Sequence, residues 1–387
     1  MKLADRMSRL GTETAFVVLA KAKELEKKGI EVIHLEIGEP DFDTPRNIID
    51  EAITALKSHW THYGPAAGLP ELREAIAQEI SRSRGIKVGP QNVVVTPGGK
   101  PVMFFAILAL VNEGDEVIYP NPGFPIYESV INFIGAKPVP IKMREEKQFR
   151  LDVEELLSLV TPKTRMIMVN SPHNPTGSVL TSKDLEEIAR MAVKNDIYIL
   201  SDEIYSRIIY SGQHRSISTF PGMLERTIIL DGYSKTYAMT GWRLGYGVMP
   251  EDLAVQVAKL QTNCNSCTAS FTQRAGMEAI KGDQKEVVRM VGEFKRRRDV
   301  IVEGLNKIRG FECQMPEGAF YVFPSIKKLG IKAADMADRL LAEGGVAALS
   351  GTAFGAFGEG YLRFSYANSV ENIQKALNKI DNFVKKL

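Results

Sequence analysis

The chain has 387 residues, which allows a substantial core and is too long for one small domain, so two domains are expected. Apolar residues make up 44% and charged residues 25%, as in ordinary soluble globular proteins. The net charge of +2 gives no electrostatic indication of a nucleic-acid or membrane partner.

The apolar run at 15–20 is short and is followed by Lys21 and Lys23, so we predict neither a signal peptide nor a membrane span. Three cysteines in so long a chain indicate a reducing, cytoplasmic setting. Cys264 and Cys267 form a C-x-x-C pair without a second pair, so we expect no metal or redox role for them. The basic cluster 295–298 is typical of a solvated helix face.

Five short apolar runs each end in a polar turn, and we predict each run to be a buried strand. In chain order the runs are Val93–Val95, Val117–Tyr119, Met166–Val169, Ile197–Leu200 and Thr227–Leu230. Helical patterns lie between several of them, for example at 183–194, introduced by a capping box at 181–184. This alternation predicts a mostly parallel α/β sheet, and ligands bind such sheets at the carboxyl ends of the strands.

We predict three segments in two domains. Residues 46–285 form the large domain. Residues 286–387 form a smaller domain with long amphipathic helices and strands at Phe320–Phe323 and Tyr361–Ser365, and the arm 1–45 joins this smaller domain.

Lys235 follows the fifth predicted strand and is the most informative residue of the chain. A lysine attacks carbonyl groups only when its amine is deprotonated, which partial desolvation and nearby positive charge promote. Small neighbours, among them Ser234, leave room for a bulky cofactor, and Arg243 offers a planar fork suited to phosphate.

The segment 232–245 resembles the pyridoxal-phosphate attachment motif of class I/II aminotransferases. The resemblance runs in the expected order from the segment around Gly38 to Arg363, and it is greatest to the prokaryotic aspartate and aromatic aminotransferase subgroup of fold type I. It implies pyridoxal 5'-phosphate as cofactor, a large domain with a mainly parallel seven-stranded sheet, a smaller α/β domain and a homodimer with shared active sites.

Asp202 ends the fourth predicted strand, where its carboxylate could pair with the protonated pyridine nitrogen and keep the ring an electron sink. Tyr205 could donate to the phenolic oxygen of the ring. Taken alone, Asp202 would be read as a turn or cap residue and Tyr205 as a core or surface tyrosine. Lys235 in the next strand-loop unit favours the cofactor roles.

Two further turns complete the predicted cofactor site. Gly98, Gly99 and Lys100 precede an apolar helical run, and glycine-rich backbone at a helix N-terminus presents amides to phosphate. A simple capped turn is an equal alternative for that segment. Asn174 lies in a His-Asn-Pro-Thr-Gly turn, and its amide could serve both the phenolic oxygen and a substrate carboxylate.

Other roles are implied by the resemblance. Phe124 occupies the position of the aromatic ring that stacks on the pyridine, with Tyr127 as a nearby competitor. Arg363 interrupts an apolar strand and needs a carboxylate partner, and in the family this arginine binds the substrate α-carboxylate; an internal salt bridge is the alternative. Gly38 corresponds to the glycine that lines the carboxylate pocket, and Tyr63 to the tyrosine that reaches the phosphate of the partner subunit.

The implied reaction is a ping-pong amino transfer, through aldimine and ketimine stages, from an α-amino acid to a 2-oxo acid. Lys235 acts as general base and then acid, and 2-oxoglutarate is the expected acceptor. Aromatic or alanine aminotransferase, a carbon–sulfur β-lyase or a cyclopropane-carboxylate synthase could use the same scaffold, and a sensor domain of a transcription regulator is a non-enzymatic alternative.

Aspartate is our choice of amino donor because the resemblance to aspartate-type members implies that a lysine at the position of Lys100 can meet a side-chain carboxylate, although Lys100 could equally cap a loop. Glu13 and Thr14 are expected near the pocket mouth. A carboxylate at Glu13 would weaken the case for an acidic substrate.

Overall fold

The computed structural model describes residues 2–387. Its α-helices are α1 Ala15–Lys27, α2 Arg46–Lys57, α3 Pro70–Arg84, α4 Lys100–Leu110, α5 Ile126–Phe133, α6 Val153–Leu159, α7 Ser182–Lys194, α8 Glu251–Asn265, α9 Ser270–Lys281, α10 Lys285–Leu305, α11 Ala333–Gly344 and α12 Val370–Val384. The strands are β1 Ile33–His34, β2 Val93–Thr96, β3 Glu116–Asn121, β4 Lys137–Lys142, β5 Thr164–Asn170, β6 Tyr198–Asp202, β7 Thr227–Gly232, β8 Gly245–Val248, β9 Tyr321–Val322, β10 Val346–Ala347, β11 Leu349–Ser350 and β12 Leu362–Ser365.

A seven-stranded sheet in the order β2-β8-β7-β6-β5-β3-β4 forms the centre of the molecule. Strands β3 to β7 pair in parallel, whereas β8 runs antiparallel to both β2 and β7. The predicted mainly parallel α/β architecture is therefore confirmed. All five predicted strands are present, and α7 begins with the predicted capping box at Thr181 and Asp184.

Helices cover both faces of the sheet. Successive residues of a strand pack against opposite helix layers because their side chains point to opposite sides. Ile118, Ile167 and Ile199 pack towards α6 and α7, and their neighbours Val117 and Met166 pack towards α4, α5 and α8. Helices α2, α3 and α9 cover the end of the sheet formed by β2 and β8. Polar side chains at the strand ends are consequently held on a rigid, buried scaffold.

A second core joins both ends of the chain. Ile33 and Leu35 pack with residues of α10, α11 and α12, and β1 pairs in parallel with β10. A three-stranded sheet, β11-β12-β9, packs in the same region. This packing agrees with an arm that joins the C-terminal segment, and the boundaries at 45 and 285 stay a prediction.

Two details differ from the expectations. The strand predicted at 320–323 pairs only at Tyr321–Val322. The basic cluster 295–298 is not a uniformly solvated face: Lys295 and Arg296 are exposed, whereas the Arg297 side chain is 6% exposed and pairs with Asp41 and Glu293. Within residues 2–387, no helix combines the length and apolar character needed to cross a membrane.

Candidate active site

A cavity of about 570 Å³ opens at the carboxyl ends of β5, β6 and β7. Most of the predicted site residues line it, although they come from distant parts of the chain. They are Gly38, Gly99, Lys100, Phe124, Asn174, Asp202, Tyr205, Ser234, Lys235, Arg243 and Arg363. Clustering at the strand ends of the central sheet accounts for residues such as Asn174, Asp202 and Lys235, whereas Gly38 follows β1 and Arg363 lies on β12 of the three-stranded sheet.

Lys235 lies in the turn after β7, and its side chain is largely enclosed. Its Nζ donates a hydrogen bond to the Gly38 carbonyl oxygen at 2.6 Å. Burial lowers the pKa of Lys235 to about 8, against the opposing charges of Glu39 and Glu13; the weaker effects of Arg363 and Arg243 lower it further. A substantial fraction of the amine is thus neutral near pH 8, as nucleophilic attack on a carbonyl requires.

Arg243 and the glycine turn form a compact cradle at the N-terminus of α4. Arg243 has a φ of 54° and Gly98 a φ of 88°, both in the left-handed region. A Cβ on Gly98 would overlap the Arg243 guanidinium, and a Cβ on Gly245 would lie 2.6 Å from the Gly98 carbonyl carbon. Glycine is required here so that backbone and guanidinium can approach each other. Gly98 itself is not among the residues that line the cavity; it shapes the turn behind Gly99.

Asp202 ends β6 and is 8% exposed. Its Oδ2 accepts a hydrogen bond from the Tyr127 hydroxyl at 2.5 Å, and its Oδ1 accepts from the Ile204 amide at 3.2 Å. Burial raises the pKa of Asp202 to about 6, against the opposing effect of these two donors. Asp202 therefore offers a carboxylate that is ionised above that pH and lies in a dry environment.

Tyr205 and Arg363 meet around Tyr321, a residue of β9 that the sequence did not single out. The hydroxyl groups of Tyr205 and Tyr321 are 2.8 Å apart, and the Arg363 guanidinium lies 4.5 Å from the centre of the Tyr321 ring. A Cβ on Gly38 would overlap the Tyr321 hydroxyl. Gly38 is thus needed for this close packing.

Arg363 is 4% exposed, and its guanidinium donates to Asn174 Oδ1 at 3.3 Å and to the Glu36 carbonyl oxygen. Its Nε has no hydrogen-bond partner, and among the described residues no carboxylate lies within ion-pair distance. Burial lowers the pKa of Arg363. The alternative of an internal salt bridge is therefore not what the structure shows, and the free guanidinium edge suits a carboxylate ligand.

Asn174 is held by its own turn. Its backbone amide donates to Asn170 Oδ1 at 2.9 Å, and the neighbouring His173 ring bonds Thr176 at 2.8 Å. Burial lowers the pKa of His173 to about 3, so this ring is neutral. His173 therefore supports the turn and adds no charge to the cavity.

Lys100 and Glu13 form an ion pair at the cavity mouth, where Thr14 and Phe16 also line the wall. Lys100 Nζ lies 5.6 Å from the centre of the Phe124 ring. Tyr63 is different: it is 90% exposed and does not line the cavity of its own chain. No group of three or more His, Cys, Asp or Glu side chains in residues 2–387 could hold a metal ion.

The residues present fit pyridoxal phosphate on observations of this structure alone. They supply an amine of lowered pKa, a buried acid, a glycine cradle against an arginine and a second buried arginine with an unpaired Nε. A doubly covered α/β sheet with this set at its strand ends defines a pyridoxal-phosphate-dependent transferase of fold type I.

Comparison with known proteins leads to the same class. The chain belongs to the family Aminotransferase class I and II, which matches residues 30–380. It is 42% identical over 359 residues to an aspartate aminotransferase of Pyrococcus abyssi, covering 92% of both chains. It is 39% identical to aromatic-amino-acid aminotransferase 2 of Thermococcus litoralis, covering 100% of this chain and 99% of the relative.

Among solved structures, an aspartate aminotransferase from Thermus thermophilus with maleate superposes with a TM-score of 0.95. It is 37% identical, and the match covers 99% of this chain and 100% of that one. The protein is therefore a pyridoxal-phosphate-dependent aminotransferase.

Proposed function

We propose that this aminotransferase moves the amino group of aspartate to 2-oxoglutarate, with Lys235, Asp202 and Tyr205 at the reacting centre. The observation that carries the site assignment is the enclosed Lys235 amine, whose pKa is lowered to about 8, between the Gly98–Arg243 cradle and the buried Asp202. When bound, pyridoxal phosphate withdraws electrons from the bond between Cα and its hydrogen.

The side chains of the chain then have separate tasks. Lys235 would hold the cofactor covalently through its amine and, when that amine is free, would act as the general base and then the acid for the proton on the substrate Cα. Asp202 would pair with the pyridine nitrogen and Tyr205 would donate to the phenolic oxygen; both residues line the cavity. Asn174 accepts a hydrogen bond from Arg363 and would serve the phenolic oxygen, and Arg363 would bind the substrate α-carboxylate.

The phosphate group of the cofactor would bind at the cradle that Arg243 forms with the glycine turn at the N-terminus of α4. Arg243 and Ser234 contribute side-chain donors, and the amides at Gly99 and Lys100 contribute the helix N-terminus. Phe124, which lines the cavity, would stack on the pyridine ring. Gly38 lines the carboxylate pocket, where only a residue without Cβ leaves room for Tyr321.

The covalent role of Lys235 is tested by borohydride reduction and peptide mass spectrometry of the holoenzyme. We expect the cofactor mass on the peptide that contains Lys235, and its loss together with amino transfer in Lys235→Ala. Retained activity in that variant would refute the assignment.

The choice of aspartate depends on Lys100. Its ammonium is the cation at the cavity mouth, where a side-chain carboxylate of the substrate would arrive, and Glu13 already pairs with it. An acidic substrate must therefore replace Glu13 as the partner, whereas an aromatic side chain could pack beside Phe16 and Phe124 without doing so. Aromatic or alanine transfer is the second candidate, and β-lyase activity on this scaffold is a further one.

A donor panel with 2-oxoglutarate separates these candidates. For Lys100→Met we expect kcat/KM for aspartate to fall about 10- to 100-fold, the size of a lost hydrogen bond to a charged group, with alanine unchanged as the matched donor. Glu13→Gln should raise kcat/KM for aspartate. If Lys100→Met affects both donors equally, Lys100 does not read the side chain. Pyruvate release from cystathionine without an oxo acid would favour the lyase.

We also propose a homodimer with shared active sites, which the exposure of Tyr63 and of apolar Leu3, Met7 and Leu10 on the arm supports. Mixing unfolded Tyr63→Ala and Lys235→Ala chains and refolding them should restore about a quarter of the wild-type activity, because half the dimers are hybrids with one intact site. No recovery in hybrids would contradict shared sites. A cytoplasmic setting, supported by three free cysteines, is part of the proposal.

A further inference from the structure

Tyr127 is a fully enclosed tyrosine whose hydroxyl points at the acid of the cofactor site. It lies in the first turn of α5, is 1% exposed, and donates to Asp202 Oδ2 at 2.5 Å. Burial, together with the charge of Asp202, raises its pKa well above 10, so the phenol stays a donor at any working pH. The interaction is therefore a charge-assisted hydrogen bond whenever the Asp202 carboxylate is ionised, above about pH 6.

Asp202 has an unusual electrostatic position. The groups facing it are Tyr127, Tyr205 and two further acids, Glu203 beside it and Asp231 on β7. The charges of both acids raise the pKa of Asp202. The nearby Arg84 guanidinium forms its ion pairs with Glu203 and Asp231 and not with Asp202. Within residues 2–387, Asp202 has no cationic partner at ion-pair distance, so Tyr127 supplies the one side-chain donor to it.

Tyr127 cannot share the stacking role of Phe124. The two rings are edge to face, with centres 5.6 Å apart and planes at 81°. Rings at that angle cannot both lie parallel to one bound planar group. Because Phe124 is the ring assigned to stacking, the hydroxyl of Tyr127 is the group through which Tyr127 acts on the site.

We propose that Tyr127 is a positioning residue of the cofactor site, whose hydroxyl keeps the Asp202 carboxylate ionised and leaves its other oxygen for the pyridine nitrogen. This inference rests on the role of Asp202 in the proposed function. The Asp202 carboxylate is then stabilised by a hydrogen bond between α5 and β6, because no cation of residues 2–387 lies at ion-pair distance from it.

The test is cofactor affinity as a function of pH, measured by equilibrium dialysis of pyridoxal phosphate and by the absorbance of the bound cofactor. In the wild-type protein we expect binding to weaken as the pH falls through about 6, the pKa of Asp202. In Tyr127→Phe the midpoint should move up by about one to two pH units, because a hydrogen bond that favours the charged carboxylate is lost. An unmoved midpoint would overturn the proposal.

Tyr366→Phe is the matched control. Tyr366 is equally buried, and its hydroxyl bonds Ala319 O and Tyr210 at 3.1 Å in the second core. The control should lower thermal stability and leave the midpoint in place. An equal displacement in both variants would mean that Tyr127 has only a structural role.

Asp202→Asn separates this inference from the proposed function. It should abolish the pH step altogether, and an intact step in Asp202→Asn would refute the role of Asp202 itself. If Asp202→Asn removes the step and Tyr127→Phe leaves it unmoved, only the Tyr127 inference fails. Should Tyr127→Phe not fold, 3-fluorotyrosine at position 127 is the second variant: its more acidic phenol should move the midpoint downwards, and no movement would again refute the proposal.

Discussion

Replacement of Arg84 by methionine should expose how much the charge cluster beneath the active site stabilises the fold. The Arg84 side chain is 5% exposed at the end of α3. It donates to Glu203 at 2.8 Å, to Asp231 at 2.7 Å and to Ser206 at 2.9 Å. Methionine keeps most of the volume and removes these three bonds together with a fourth, to Ser83 Oγ at 3.0 Å.

Loss of one partner from a buried ion pair costs about 3–5 kcal/mol, because the remaining charge stays buried and uncompensated. An unfolding entropy of about 2.1 cal/mol/K per residue gives roughly 0.8 kcal/mol/K for a chain of this length. The expected fall in Tm is therefore about 4–6 °C near neutral pH.

Glu203 and Asp231 decide how the Tm difference between the wild-type protein and Arg84→Met changes with pH. Glu203 keeps His214 at 2.9 Å as a second partner, but Asp231 loses its only ion pair among the described residues. Burial already raises the pKa of Asp231 and Arg84 opposes this, so in the variant the pKa rises further. As the pH falls Asp231 takes up a proton and the penalty shrinks, so the Tm difference should be smaller at pH 5.5 than at pH 8.

The assay is differential scanning calorimetry of the holoenzyme at fixed protein and cofactor concentrations. Arg73→Met is the matched control on the same helix, because Arg73 donates only to the carbonyl oxygens of Val93 and Pro90. A Tm difference for Arg84→Met that is below about 1 °C, or equal at both pH values, would refute the reasoning.

Three further predictions concern single residues. The carboxylates of Glu36 and Glu26 raise the pKa of His34 to about 9, so His34 stabilises the fold below its unfolded pKa of 6.5 and this contribution disappears as the pH rises through 9. After allowance for its exposure, His34→Gln should cost about 1–2 kcal/mol at pH 6 and nothing at pH 10, in urea titrations; a pH-independent cost would contradict this. Arg363→Lys should lower kcat/KM for amino donors about 10- to 100-fold without changing cofactor content, since lysine lacks the planar fork; unchanged kinetics would remove Arg363 from the substrate site. Gly98→Ala should weaken cofactor retention on dialysis and destabilise the turn by about 1 kcal/mol or more, because its φ of 88° disfavours a Cβ; full retention would show that the cradle tolerates one.

The strand ends were predictable because apolar runs followed by polar turns are local patterns. The same logic placed Asp202 and Lys235 on neighbouring strands, and β6 and β7 pair in parallel. Two strands of the sheet gave no such signal. β4 reads Lys-Pro-Val-Pro-Ile-Lys, a pattern tolerated only at the sheet edge where it lies, and β8 carries two glycines that normally weaken a strand.

The supporting residues were not predictable, because their roles arise from tertiary packing. Arg84 is an ordinary basic residue near a helix C-terminus when read from sequence, and its partners lie 119 and 147 positions away. Tyr321 was part of a predicted strand, but nothing local indicates that its hydroxyl meets Tyr205, 116 positions earlier. Long-range contacts of this kind depend on the whole fold.

Buried charges in this protein fall into two groups, and the difference separates structure from function. Arg84, Glu203 and Asp231 satisfy one another, so their burial is compensated within the chain. Asp202 and Arg363 are buried as well and Lys235 is largely enclosed, yet among the described residues none of the three has an ion-pair partner. Uncompensated buried charge is costly in a free protein and persists where a ligand supplies the missing partner. In the proposed function, the unpaired acid, amine and guanidinium around one cavity bind the ring nitrogen, the carbonyl carbon and the substrate carboxylate.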